Sequence, residues 1–104
     1  MKKRRVTFRP HAEADLSRLY HYIASRSGTY VANRFAERIE RACLDLETFP
    51  ERGRRRDDIR LGLRVMTTVR RVVIAFQIQD TEVVIVRIYY GGRAYERLLK
   101  VGDD

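Results

Sequence analysis

The feature that most constrains the fold is a change of period part-way along the chain. From residue 12 to residue 49 the apolar residues recur at three- and four-residue steps, and from residue 61 to residue 90 they alternate. The first pattern is one face of a helix and the second is a half-buried strand, so helices precede a sheet. Ala12, Leu16, Leu19, Tyr20 and Ile23 make the first stripe, with Glu13, Asp15, Arg18 and Arg26 largely off it. Ser27-Gly28-Thr29 reads as a stop and a restart, with Gly28 as a left-handed cap and Thr29 as the next N-cap. Val31, Phe35, Ile39, Ala42, Leu46 and Phe49 form the second stripe, which Pro50 ends. The two helices are expected to form a hairpin.

Before them, Val6 to Arg9 alternates as a short strand does, and Pro10 closes it or opens the helix. After them, Glu51 to Asp58 is a polar, arginine-rich connection. Leu61, Leu63 and Val65 then lie on one side of a strand, with Arg60 and Arg64 on the other. Val72, Ile74, Phe76 and Ile78 alternate next, and Gln79-Asp80-Thr81 turns the chain into Glu82 to Tyr90. That last strand is apolar on both faces, Val84, Val86 and Ile88 on one and Val83 and Ile85 on the other, with Arg87 interrupting the second. Such a strand is central in its sheet or covered by a partner. Gly91-Gly92 ends it, and Ala94 to Lys100 closes with a short helix carrying Leu98 and Leu99. The expected fold is α+β: a strand, a helical hairpin, a three-stranded antiparallel meander and a short C-terminal helix, in one domain over residues 1–104.

Charge narrows the partners. The formal net charge is +8, and of 22 basic residues only Lys2, Lys3 and Lys100 are lysine. Arginine favours planar, bidentate contact with carboxylate or phosphate, so an acidic protein segment and nucleic acid both fit. A lone cysteine, Cys43, offers no intramolecular disulfide, which suits a reducing cytoplasm, and no apolar run is long enough for a membrane span.

No enzyme motif is present. His11, His21 and Cys43 lack a metal-ligand spacing, so neither a metal nor another cofactor is expected. Gly91-Gly92 lacks the spacing of a phosphate loop. What rises above background is an arginine set on the sheet half, Arg60, Arg64, Arg87 and Arg93, with Tyr89, Tyr90 and Tyr95 close in sequence. Arginine with tyrosine grips phosphate and stacks on bases. The competing reading is that a carboxylate of the same chain neutralises Arg87 while the tyrosines pack.

Several segments follow one another in order: Phe8-Arg9-Pro10 with Ala12, Ala14, Asp15 and Leu16; Tyr22-Ile23-Ala24 before Gly28; Ala32, Arg34, Phe35 and Ile39; Phe49-Pro50-Glu51-Arg52-Gly53-Arg54; Gly62-Leu63-Arg64; Val72-Val73-Ile74; and Val84 to Ile88 leading to Gly91 and Arg93. Together they resemble the ParE branch of the ParE/RelE toxin superfamily. The resemblance implies a curved sheet carrying a helical hairpin and a cytoplasmic toxin neutralised by a cognate ParD-like antitoxin with an acidic C-terminal part. It further implies DNA gyrase as the target, inhibited without catalysis, and the RelE relatives offer ribosome-dependent cleavage of messenger RNA as the alternative. Target-binding candidates are Arg60, Arg64, Arg87, Tyr90, Arg93 and Tyr95, and antitoxin-binding candidates are Val83, Ile85, Arg87, Tyr89, Leu98 and Leu99. No histidine follows the hairpin and no lysine lies between Lys3 and Lys100, so an acid-base pair for cleavage is not evident. Many ParE members follow the last strand with histidine and then arginine-aspartate, where this chain has Tyr90 and Arg93-Ala94. A plain nucleic-acid-binding module is the third reading, weakened by the lack of any recognised reading element, and sequence-specific binding is not expected.

Overall fold

A computed structural model describes residues 4–91 and 95–101, with the side chains of Lys100 and Val101 left aside. Strand β1 (Arg5–Phe8) leads into helices α1 (Pro10–Ser27) and α2 (Thr29–Leu44). A two-residue strand β2 (Arg54–Arg55), then β3 (Leu63–Thr68), β4 (Val72–Ile78) and β5 (Glu82–Tyr89) follow, and α3 (Tyr95–Val101) comes last. The sheet order is β1-β5-β4-β3-β2. The meander pairs antiparallel, whereas β1 lies parallel to β5 with Arg5 opposite Glu82 and Phe8 opposite Ile85. The helical hairpin, with β2 to β4 after it, thus makes the crossover that this parallel pair requires.

Pro10 opens α1, where its missing N–H leaves no helical bond unmade. Gly28 alone serves the corner between the helices. Its φ of 93° and ψ of 164° lie outside the left-handed well, in a region open to glycine alone, and its N–H reaches Ala24 O at 2.9 Å. Thr29 is already helical and caps nothing by its side chain, contrary to the expectation from Ser27-Gly28-Thr29.

The second helix is shorter than its apolar stripe. It ends at Leu44, and a 3-10 turn over Asp45–Glu47 carries Leu46 into the core while Phe49 turns outward, 54% exposed under Arg52. Leu61 also leaves its expected strand: it is 84% exposed in a turn, with β3 starting at Leu63 and Arg60 upstream of it. The polar, arginine-rich connection contains β2, which pairs Arg54 with Val65 and Arg55 with Arg64. Gly53, at φ 74°, packs so closely on β3 that an added Cβ would sit 2.1 Å from the Val65 carbonyl oxygen.

Each face of the sheet is covered. Leu19, Ile23, Phe35 and Ile39 of the hairpin pack on Ile74, Phe76, Val83 and Ile85, while Leu63, Val65, Val84 and Val86 meet Leu99 of α3 on the opposite face. The apolarity of β5 on both faces is therefore met within the chain. One residue of β5 is extra: Ala75 pairs with Arg87 and Phe76 with Ile85, so Val86 has no partner of its own. This bulge shifts the alternation. Ile88 joins Val83 and Ile85 beneath the helices, and the expected grouping of Ile88 with Val84 and Val86 fails.

The β3–β4 connection is a tight turn whose central residues, Arg70 (φ 54°, ψ 39°) and Arg71 (φ 64°), are both left-handed. That is the geometry in which Asn-Gly is usual, and a side chain there costs about 1 to 2 kcal/mol per residue.

Candidate functional site

The carboxylate of Asp15 organises the end of β5. Alanine 12, Asp15, Leu19 and Ile23 form the buried face of α1, so Asp15 stands in the apolar stripe and is only 7% exposed. A buried carboxylate must be fully bonded. Arg87 donates to it twice, from Nε at 2.7 Å and Nη2 at 3.0 Å. Arg18 Nη2 donates at 2.7 Å from the rim, and the Ile88 backbone N–H donates at 2.9 Å. That last bond arises because β1 pairs with β5 only as far as Ile85. Past that point an edge amide of the strand is taken by a side chain of α1. The bulge at Val86 brings Arg87 to the carboxylate, and its guanidinium also lies 5.2 Å from the Tyr89 ring centre.

Above this cluster opens a groove of about 890 Å³. Leu19 and Tyr22 of α1, Ile88, Tyr89 and Tyr90 of the β5 end, and Leu98 of α3 form most of its wall. The groove is mainly apolar with one charged margin, a form that suits an amphipathic segment.

A second arginine, Arg56, fastens α3. Its Nε and Nη2 donate to both oxygens of Asp58 at 2.9 and 2.8 Å, and its Nη1 donates to the Tyr95 hydroxyl at 3.0 Å and to Glu96 at 3.2 Å. The two carboxylates raise the Arg56 pKa above its ordinary value, and Arg56 in turn lowers that of Glu96. Arg60 Nη2 adds a long bond to the Leu99 carbonyl at 3.4 Å.

The sequence candidates therefore separate. Arg87 is neutralised by Asp15, the competing reading given above, and Tyr89 is buried among Val84, Val86 and Leu99. Arg64 Nε donates to Arg52 O at 3.2 Å, with β4 lying between it and Arg87. Arg60 and Tyr95 hold α3, and Leu99 is 2% exposed beneath it. Val83 and Ile85 are fully enclosed under the hairpin and present no surface in the free chain. Tyr90 and Leu98 do line the groove. Arg93 falls outside the described residues. Missed by the sequence reading were Asp15, Arg18, Leu19 and Tyr22, although an acid three residues after Ala12 and four before Leu19 signals a carboxylate on the buried face.

Cys43 is completely buried, and burial, helped by Glu40, pushes its thiol up to about 12. The exposed His21 donates from Nδ1 to Ser17 O, 2.9 Å away, as a helix-surface residue does. Among the described residues no three histidine, cysteine or acidic side chains gather as a metal site, and no helix is long and apolar enough to cross a membrane.

The model of the ParE toxin of the type II toxin-antitoxin system parDE matches residues 6–95. The chain belongs to the ParE toxin family. A curated ParE relative, Toxin ParE3 of Caulobacter vibrioides, is 35% identical over 77 residues, covering 74% of this chain and 76% of that protein. A structure described as the chromosomal ParDE system from P. aeruginosa superposes with a TM-score of 0.74 at 22% identity, over 85% of this chain and 96% of that one. A second, the toxin-antitoxin complex RelBE2 from Mycobacterium tuberculosis, gives a TM-score of 0.57 at 26% identity, over 88% of this chain and 94% of the other. The α+β fold of this ParE toxin is that of the ParE and RelE toxins.

Proposed function

We propose that this ParE-family toxin is held silent in the cytoplasm by a ParD-like antitoxin whose C-terminal segment occupies the groove between α1, the end of β5 and α3, and that the released toxin inhibits DNA gyrase by binding it. The observation that carries the antitoxin reading is the groove itself, with the apolar surfaces of Leu19, Ile88 and Leu98 beside Arg18 and Arg87. An amphipathic acidic segment answers both properties, burying apolar side chains while its carboxylates meet a protein of net charge +8. The solved ParDE and RelBE2 systems, which share the fold, support a partner of this kind.

The gyrase reading rests on membership of the ParE branch. It is supported by the engagement of Arg87 with Asp15 and of Arg64 with a backbone carbonyl, since both guanidiniums have structural duties in place of a shared phosphate site. Copurification with the product of the adjacent reading frame tests the pairing, and Arg18→Ala, at a residue 68% exposed in its side chain, is expected to weaken that complex roughly tenfold. A supercoiling assay run beside a translation-coupled RNA cleavage assay tests the target. Cleavage of ribosome-bound messenger RNA with gyrase untouched would overturn the gyrase reading and leave the antitoxin groove standing.

A further inference from the structure

At the end of the molecule where α1 meets α2, arginines and aromatic rings touch in a row, the ring pairs tilted or edge-on. Arg26 lies over the Tyr22 ring at 4.7 Å, Tyr22 meets Tyr90 at 5.9 Å, Tyr90 meets Phe35 at 5.9 Å, and Arg70 lies over Phe35 at 5.8 Å. The row joins α1, the end of β5, α2 and the β3–β4 turn, with a guanidinium at either end. Beside it on α2, Arg34 donates to the Tyr30 hydroxyl at 3.1 Å and stacks on its ring at 5.9 Å. Tyr30 is 71% exposed and Tyr22 is 44% exposed, so ring surface faces solvent.

Among the described residues, none of Arg26, Arg34, Arg70 and Arg71 forms an ion pair, whereas Arg18, Arg55, Arg56 and Arg87 each do. Other arginines, Arg38 and Arg41 among them, are also without an ion pair within the described residues, but at this end the uncompensated charge sits against exposed aromatic rings. The turn adds a second, independent sign: Arg70 and Arg71 occupy two consecutive left-handed positions that Asn-Gly would fill without strain. Persistent strain of this sort marks positions kept for something other than stability.

We propose that this end binds single-stranded nucleic acid without sequence preference. Guanidinium forks match phosphate oxygens, and exposed tyrosine rings offer stacking faces to unpaired bases, which a duplex keeps buried in its own stack. A purely acidic protein segment would satisfy the arginines and leave the tyrosines without a role. The surface adjoins the antitoxin groove through Tyr22 and Tyr90, but the inference does not depend on gyrase being the target.

The experiment is fluorescence anisotropy with the full chain and a labelled oligothymidylate of about 12 nucleotides, a length within the usual site size. The matching duplex and a polyglutamate peptide are measured in parallel. With about four phosphates engaged, the logarithm of affinity for the single strand should fall with that of salt at a slope of roughly −3. The double variant Arg70→Asn, Arg71→Gly should halve the slope and weaken binding roughly tenfold or more, while its melting temperature rises because the turn relaxes. Removing equal charge elsewhere, with Arg54→Asn and Arg55→Asn in β2, should leave the slope nearly unchanged. Tyr30→Ala should weaken the single strand roughly fivefold or more without altering the duplex. Equal effects of the two arginine pairs would show binding by overall charge and overturn the proposal. Polyglutamate binding that alone responds to the turn variant would assign the surface to an acidic protein and overturn it as well.

Discussion

Replacing Asp15 with alanine removes four hydrogen bonds in one step, and they differ in worth. The bond from Arg18 contributes little, because that side chain is 68% exposed and an exposed pair is worth about 0 to 1 kcal/mol. The Ile88 N–H is buried under α1, and orphaning it costs about 1 to 3 kcal/mol. Arg87 is 20% exposed in its side chain, so water can solvate part of the stranded guanidinium and hold the cost of breaking this pair near the low end of about 3 to 5 kcal/mol. The contributions overlap, and the expected loss is about 3 to 5 kcal/mol in all, a large part of the about 5 to 15 kcal/mol typical of a domain. For 104 residues this lowers the melting temperature by roughly 14 to 23 °C. Urea unfolding with a double-mutant cycle is the assay. Asp15→Asn keeps one acceptor and should lose about half as much, and Arg87→Met added to Asp15→Ala should recover part of the loss, since no cation is then stranded. A loss under about 1 kcal/mol for Asp15→Ala, or no coupling to Arg87, would refute the assignment of Asp15 as the fastening of α1 to β5.

Gly53→Ala should cost about 3 kcal/mol or more, because its Cβ would meet the Val65 backbone at 2.1 Å on top of a left-handed φ, and hydrogen exchange should show β2 released from β3. Glu96 is shifted downward by Arg56, so its support of α3 is fully present above its ordinary pKa of 4.5 and is lost as pH falls through the lower folded value; exchange of α3 amides should rise there, and Arg56→Gln should abolish the pH dependence. With its thiol pushed up to about 12 and no exposed surface, Cys43 should react with a disulfide reagent at pH 8 only when the protein is unfolded, and rapid reaction of the folded protein would contradict its place in the core.

Periodicity carried most of the architecture. The stripe containing Leu19 and Ile23 and the alternation of Val72, Ile74 and Phe76 each report one buried face, and those faces do meet. The exceptions are places where a single residue's partner lies far along the chain. Nothing near Arg54 reveals that Val65 will pair with it, and a two-residue strand is too short to alternate. The bulge at Val86 is likewise set by the match between β4 and β5, so the grouping of Ile88 was drawn from a regular period that the sheet does not keep. Phe49 and Leu61 look like core by composition, yet they follow the points where the helix stops and before the strand starts. The site was less legible than the fold. Arg87 stood out as a charge in an apolar strand, but the residue that answers it is 72 positions away.

The arginines sort by their neighbours more than by their number. Of those drawn from the sheet half as a functional set, the three that are described are held by the fold: Arg87 joins β5 to α1, Arg64 reaches the Arg52 carbonyl, and Arg60 lies against the end of α3. Arg56, from the polar, arginine-rich connection, has a side chain only 16% exposed and anchors the C-terminal helix. Arg26, Arg34 and Arg70 keep their guanidiniums on aromatic rings, where the cation is attracted without being neutralised. A ring leaves the charge available to a later anion, whereas a carboxylate competes with it. By this sorting the surface proposed for single-stranded nucleic acid lies at the junction of the two helices, where the guanidiniums rest on rings and on no carboxylate.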